Sequence, residues 1–442
     1  MTDKIHPLPA DGQDALRRRD FLRGLAAAVS TPPCLAIPWP AHAAPPPAST
    51  AVTVTGAQAL AGAGFSSLAR QRIGLVTNQT GRVGARHLVD AMRLNADIRL
   101  TAIFAPEHGF GGTVEAGATV AGGRYGKTGI PVYSLFGDAK KPNADMLRDV
   151  DVLVFDIQDI GVRFYTYIST MGLAMQAAAA RGIPFVVLDR PNPLGGDTVS
   201  GFVLDRARRS FIGKYAIPIV HGMTVGELAQ MIKGAHLLDG LDRLDLNIVP
   251  MTGWRRAMRW PATRLAWVAT SPNIPTFESA LLYPGIGMVG ETLVNEGRGT
   301  PTPFSQFGAP WLGAGRIAAD LNALRLPGVH FEATSYTPRS IPDVALHPRF
   351  ENERVGGVGL HVTDVDAYRS LEVGMHVLAR LQQESRARGV PLFGKLGMFH
   401  ASAGTARLHR MVMGGASGFE IISAWAAEVQ RFRTQRQPYL IY

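Results

Sequence analysis

Four short apolar runs, each closing on polar residues, constrain this chain more than any other feature. They are Ile73-Gly74-Leu75-Val76-Thr77 before Asn78, residues 100–104 before Ala105-Pro106-Glu107-His108-Gly109, Asp151-Val152-Leu153-Val154-Phe155-Asp156, and residues 184–188 before Asp189-Arg190-Pro191-Asn192-Pro193. Runs this short and this apolar read as strands buried on both faces of a parallel sheet. Residues 132–136 suggest another. Helical patterns lie between them. One falls at 87–94, and Phe164, Ile168, Met171 and Met175 recur at i, i+4, i+7 and i+11, one apolar face of a helix. Strands alternating with helices predict an α/β fold with a doubly wound parallel sheet. Ligands of such sheets sit at the carboxyl ends of the strands. Here those ends carry Asn78, Glu107, Asp156, Gln158, Asp159, Asp189 and Arg190.

The flanking regions read differently. Residues 224–233 form a helix capped by Thr224, with Glu227 completing a capping box. Residues 260–312 are rich in proline, glycine and aromatics. After about 313 the pattern becomes α+β, with helices at 314–324 and 367–386 and strands at 330–336 and 358–362. These patterns divide the chain into a catalytic domain at 55–310 and a smaller α+β domain at 311–442.

The first 43 residues read as a twin-arginine signal peptide. Arg17-Arg18-Arg19 precede Asp20-Phe21-Leu22 and an apolar stretch to Ile37, and Ala41-His42-Ala43 offers a cleavage site. Residues 44–54, opening on a proline run, read as a linker. The single cysteine, Cys34, falls inside the signal, which excludes a disulfide framework and any CxxC site in the mature chain. No other stretch approaches the ~20 apolar residues of a membrane span. The expectation is an exported protein, periplasmic or secreted. Its net charge of +10, about +9 after cleavage, suits anionic partners in the envelope. Nucleic acid is not expected as a partner.

Two phosphate-binding motifs are only apparent. Residues 121–128 resemble a P-loop, but Gly129-Ile130-Pro131 and a strand follow where a helix is required. Gly285-Ile286-Gly287-Met288-Val289-Gly290 matches GxGxxG without a preceding strand, and reads as a glycine-rich turn. HExxH, GxSxG and EF-hand patterns are missing, so neither metal nor cofactor is expected. Carboxylates remain, and two carboxyls suit glycoside cleavage, one as acid and one as base or nucleophile. Glu107 follows an apolar strand end and fits the acid. Glu115, Asp156, Asp159, Asp189, Glu291 and Glu296 are candidates for the second.

At these residues the chain resembles a known family, the NamZ-type exo-β-N-acetylmuramidases (glycoside hydrolase family 171). The resemblance rests on Gly74-Leu-Val-Thr-Asn78-Gln-Thr-Gly81, Ala105-Pro-Glu107-His-Gly-Phe110, the stretch from Asp156 to Tyr167, and Leu188-Asp189-Arg190-Pro-Asn192-Pro193. It continues through Ser271-Pro-Asn273-Ile-Pro-Thr276, Tyr283-Pro-Gly285 and Asn295-Glu296-Gly-Arg298-Gly-Thr300. It implies a Rossmann-like N-terminal domain, a smaller C-terminal domain and a cleft between them. It also implies release of N-acetylmuramic acid from the non-reducing ends of peptidoglycan fragments, with Glu107 as the catalytic glutamate. Glu291 and Glu296 are carried as the leading second carboxyls. Asn78, His108, Asp156, Gln158, Arg163, Tyr165, Asp189, Arg190, Asn192, Asn273 and Arg298 are the expected substrate contacts. Arg163, Arg190 and Arg298 are candidate forks for the lactyl carboxylate, and Tyr165, Tyr167 and Tyr283 for stacking on the sugar. Two rival readings are a non-catalytic binding protein for wall sugars and an esterase of envelope polymers.

Overall fold

The computed structural model describes residues 52–442, so the expected signal at 1–43 and residues 44–51 of the expected linker lie outside the described residues. Residues 52–54 are docked and not a linker. Val54 exchanges backbone hydrogen bonds of 2.9 and 3.0 Å with Thr252. Thr55 then caps α1 (Gly56–Gly62) through a capping box with Gln58.

The chain continues as β1 (Arg72–Thr77), a small hairpin β2 (Arg82–Val83) and β3 (Arg86–His87), α2 (Leu88–Arg93), β4 (Arg99–Ala105), β5 (Gly123–Tyr125) and β6 (Ile130–Ser134). β7 (Val152–Asp156), α3 (Tyr167–Arg181), β8 (Phe185–Leu188), α4 (Val225–Gly234) and β9 (Leu246–Val249) follow. The strands form one sheet in the order β5-β6-β4-β1-β7-β8-β9. All pairs are parallel except β5 with β6. The chain leaves β1 toward β4 and β6, then returns to fill the other side with β7, β8 and β9. That is a doubly wound sheet whose direction switches between β1 and β7.

Strand alternation decides what each face buries. Ile73, Leu75, Ile103, Val152, Val154, Val186 and Leu188 pack with Leu60 of α1 and Val89 and Met92 of α2. Val76, Phe104, Leu153, Phe155, Phe185 and Val187 face the other way, onto Met171 and Met175 of α3 and Leu228 of α4. The apolar face expected for α3 is present, but burial extends around the helix to Ser169 and Thr170. The segment carrying Tyr215 covers it, and the Tyr215 hydroxyl donates to Ile168 O at 3.1 Å. Phe164 precedes the helix. α4 has the expected box, with Thr224 and Glu227 capping each other.

The C-terminal part holds α5 (Trp260–Thr263), α6 (Phe277–Gly290), β10 (Gln306–Ala309), α7 (Ala314–Ala323), β11 (Val329–Tyr336), β12 (Val355–Val362) and α8 (Ser370–Arg388). It ends with α9 (Gly397–Ala403), α10 (Arg407–Met413) and α11 (Gly418–Arg436). A second, antiparallel sheet runs β10-β12-β11. Two sequence expectations change here. Gly285–Gly290 is no turn but the end of α6, and the glycine lets two helices cross. A Cβ on Gly285 would lie 2.1 Å from Ser370 O, and one on Gly374 of α8 would lie 2.5 Å from Gly285 Cα. The division at 310/311 also moves upstream, because β10 pairs with β12 and α6 packs on α8. Residues 121–128 form β5 and a single 3-10 turn leading into β6, the arrangement that excludes a P-loop.

The core beneath α3 continues without interruption into the C-terminal part, where Leu378, Phe399, Trp425 and Phe432 belong to the same cluster as Phe155. Gly374→Ala inserts a methyl where backbone meets backbone. We expect a loss of about 1–3 kcal/mol, the usual range for overpacking, read as a lower urea midpoint with an unchanged denaturant slope.

Candidate active site

The site is built where β4, β7 and the C-terminal part converge. After β4 the chain turns sharply. His108 takes a left-handed backbone (φ 69°) and Gly109 another (φ 78°). That turn sets both Glu107 and His108 into the wall of a cavity of about 470 Å³. The wall also takes Gly117, Tyr165 and Thr166, Asn273, Tyr283, Glu291 and Arg298, and Ser402 at the end of α9.

Glu107 is buried and held at both oxygens. Oε1 accepts the Gly117 amide at 2.9 Å, and Oε2 accepts the Thr166 hydroxyl at 2.6 Å. An amide can only donate, so a proton on this carboxyl belongs on Oε2, where the Thr166 hydroxyl can rotate and accept. His108 Nδ1 lies 2.7 Å from Val114 O. A carbonyl only accepts, so Nδ1 carries the proton and the neutral ring keeps its lone pair on Nε2. Burial favours that neutral form, lowering the pKa against the opposing charge of Glu107.

Glu291, just past α6, has a different setting. Burial raises its carboxyl above the ordinary glutamate range, Arg298 opposes the rise, and Glu296 adds to it. The Ser402 hydroxyl approaches Oε1 at 3.4 Å. Glu296 does not line the cavity. It holds Arg298 by a 3.2 Å ion pair, while the Arg298 guanidinium lies 5.5 Å from the centre of the Phe304 ring. Tyr283 packs edge-on against Phe304 and Tyr165, giving the cavity an aromatic side. Asn273 donates to Val344 O at 2.7 Å and leaves Oδ1 without a partner.

Among the expected substrate contacts, His108, Tyr165, Asn273 and Arg298 meet at this cavity. Others are corrected, because they do not line the cavity and most of their polar atoms are held by the scaffold. Arg163 is fully buried, with Nη1 bonded to Phe202 O and Ile217 O and Nη2 to Ser402 O, each at 2.8 Å. Asp156 and Arg190 form a buried two-point ion pair of 2.6 and 2.9 Å. Asp189 accepts from Arg190 N, Gly226 N, and the Thr224 and Tyr442 hydroxyls. Asn78 accepts Thr80 N, Gln158 donates to Asp159 O and Pro191 O, and Asn192 bridges Leu194 N and Met223 O. Tyr167 is buried against Thr270.

For Asn78, Asp156 and Arg190 the correction has a common cause. The crevice at the switch between β1 and β7, where a doubly wound sheet would take a dinucleotide, is filled by the Asp156–Arg190 pair and the Asn78–Thr80 turn. Glu115 faces another way and accepts Leu346 N at 2.8 Å. Asp159 is buried and accepts Gly161 N at 2.6 Å. Sequence reading missed Thr166, Gly117 and Ser402. Thr166 sat unremarked inside a quoted motif, whereas Gly117 and Ser402 reach the site only through tertiary structure.

Comparison with known proteins decides the family. A family model described as exo-beta-N-acetylmuramidase NamZ, N-terminal, matches residues 73–278, and its C-terminal counterpart matches residues 281–442. The chain belongs to the NamZ family. The peptidoglycan beta-N-acetylmuramidase NamZ of Bacillus subtilis (strain 168) is 42% identical over 373 residues, 84% of this chain and 87% of that protein. Two crystal structures of DUF1343 family proteins from Bacteroides fragilis share the architecture. One has a TM-score of 0.79 at 35% identity, covering 88% of this chain and 99% of that one. The other has a TM-score of 0.71 at 34% identity, covering 89% and 99%. The NamZ family models meet between 278 and 281, at the start of α6, upstream of the division read from sequence.

Arg163 separates scaffold from site. Arg163→Met would leave the Phe202 and Ser402 carbonyls without a donor and Ile217 O with the Leu204 amide alone, and we expect a loss of about 3 kcal/mol in urea unfolding.

Proposed function

We propose that this protein is an exo-acting glycosidase that releases N-acetylmuramic acid from the non-reducing ends of peptidoglycan fragments. The observation that carries the reading is a NamZ-family chain whose one cavity wall presents two carboxyls, Glu107 and Glu291, in unlike surroundings. Glycoside cleavage needs such a division, one group giving a proton and the other accepting one or attacking carbon.

Glu107 serves as the acid. The Gly117 amide holds Oε1, so Oε2 is the oxygen from which the proton is given, and the Thr166 hydroxyl, donating to that oxygen, fixes its orientation. Glu291 serves as the base or nucleophile. A carboxylate raised toward the working pH is the stronger base, and Arg298 helps to keep it ionised. Arg298, steadied by Glu296 and Phe304, has donors for the lactyl carboxylate. The aromatic side formed by Tyr165, Tyr283 and Phe304 gives the sugar an apolar face. Neutral His108 and Asn273 Oδ1 are available to its hydroxyl and amide groups.

Leaving-group chemistry tests the roles. With a nitrophenyl muramide the leaving group needs no proton, so Glu107→Gln should keep most of its rate there and lose about a hundredfold or more on the natural disaccharide. Glu291→Gln should lose both. The opposite pattern would exchange the assignments, and no release by the wild type would overturn the reading in favour of a binding protein.

The pH profile supplies a second check. A raised carboxyl that must be ionised loses function as pH falls through its folded pKa. The acid limb of kcat/KM should therefore lie above the ~4.3 of an ordinary glutamate. The limb should vanish in Glu291→Gln measured on its residual rate.

Export by the twin-arginine route to the periplasm or beyond is part of the same proposal. Its support is the Arg17-Arg18-Arg19 motif and the peptidoglycan substrate. Among the described residues no helix is long and apolar enough to cross a membrane.

A further inference from the structure

Exposure changes along the cavity. Glu107 and His108 are buried, while Lys140 lines the same cavity from an exposed position. Lys140 lies on the segment after β6 and is held in an aromatic cradle. Its Nζ is 4.6 Å from the centre of the Phe211 ring and 5.6 Å from that of Phe136, and the two rings are 5.8 Å apart. Phe211 arrives from a separate loop that also carries Arg209 and Lys214. The charges of Arg209, Lys140 and Lys141 all act on Lys214, adding to burial in lowering its pKa. Lys140 thus lines the cavity, and Lys141, Arg209 and Lys214 sit within two residues of Lys140, Phe211 or Ile212, which form its wall. Among the described residues none of them forms an ion pair, and Asp138, on the Lys140 loop, pairs with none of them. Like charges held together without an acidic partner raise the potential at the opening and attract an anion to it.

We propose that this mouth is a carboxylate-binding subsite for the part of the substrate chain that stays outside, with Lys140 as its fixed contact and Lys141, Arg209 and Lys214 supplying the field. The inference rests on the muramidase reading. An exo enzyme takes the terminal sugar to the buried carboxyls and leaves the rest of the chain running out past the exposed rim. Muramic acid alternates along that chain, so a second carboxylate recurs beyond the first disaccharide. It is borne by the lactyl group itself or, where a peptide is attached, by the peptide. The aromatic cradle orients the ammonium without neutralising it, so Lys140 stays available to such an anion. The rim therefore makes the enzyme favour longer anionic fragments over the disaccharide.

The test compares the disaccharide with a two-repeat tetrasaccharide, in wild type and in Lys140→Met and Lys214→Gln. We expect each variant to raise KM for the tetrasaccharide about three- to fivefold more than for the disaccharide, the range of an exposed charge pair, and added salt to shrink the wild-type preference. Methyl esterification of the distal lactyl carboxylate should abolish the preference. A peptide-substituted tetrasaccharide then distinguishes the source. A preference restored by the peptide assigns the rim to peptide carboxylates, and one seen only with free lactyl groups assigns it to those. Equal effects on both chain lengths, or a preference that survives esterification, would overturn the proposal. Binding of the tetrasaccharide to Glu107→Gln and to Glu107→Gln/Lys140→Met, by calorimetry, separates the two readings. Weaker binding in the double variant supports the rim even if wild type releases no sugar, and equal binding refutes it. Thermal melting of each variant identifies any loss due to unfolding.

Discussion

A single buried guanidinium holds the site together. Arg163 bonds to Phe202 and Ile217 on one side and to Ser402 on the other. Ser402 lines the cavity and turns its hydroxyl toward Glu291. The chain after β7 is thereby joined to the end of α9, and the joint lies next to a carboxyl assigned to the chemistry. Burial draws the Arg163 pKa down to about 9 against the opposing charge of Asp205, so the group remains charged at neutral pH and its donors stay fixed on the carbonyls. The Gly285–Gly374 crossing acts in the same direction, since it brings α6 close enough to α8 for Glu291 to emerge at the cavity.

The doubly wound sheet contributes position more than chemistry. Its ordinary ligand crevice, between the ends of β1 and β7, is filled from within by Asp156 and Arg190. The usable cavity is displaced toward β4, and the C-terminal part supplies Glu291, Arg298 and Ser402. Neither part alone contains both carboxyls. This explains why the family spans nearly the whole described chain, and why a sheet of nucleotide-binding type here supports sugar chemistry.

The sheet was legible because buried strands write themselves as short apolar runs, and the strands read at 73–77, 100–104, 132–136, 151–156 and 184–188 are all present within a residue or two at their ends. α6 was obscured by Pro284 and its glycines, which local propensity assigns to a turn. Only the facing glycine on α8 gives them a purpose. The place of Glu107 at the cavity was legible from its strand end and the motif around it. Arg163, Arg190 and Asp189 were misread for the opposite reason. A charged residue in a loop at a strand end looks alike whether it meets a ligand or satisfies backbone groups, and its partners are distant in sequence. Glu291 and Glu296 could not be ordered until structure showed one at the cavity and the other behind Arg298.

The continuous core has one more consequence. A two-lobed enzyme commonly closes on its substrate by rotating one lobe against the other, and such rotation needs a seam that can slide. Here Phe155 and Phe432 belong to one packed cluster, and the seam is crossed by Arg163, which ties the chain after β7 to Ser402 of α9. A seam so packed resists sliding, and the dimensions of the cavity then depend on the packing that folding establishes. Selectivity of such a cavity is steric, decided by which sugar end fits before any movement begins, and the adaptable part of recognition is left to the loops at its mouth.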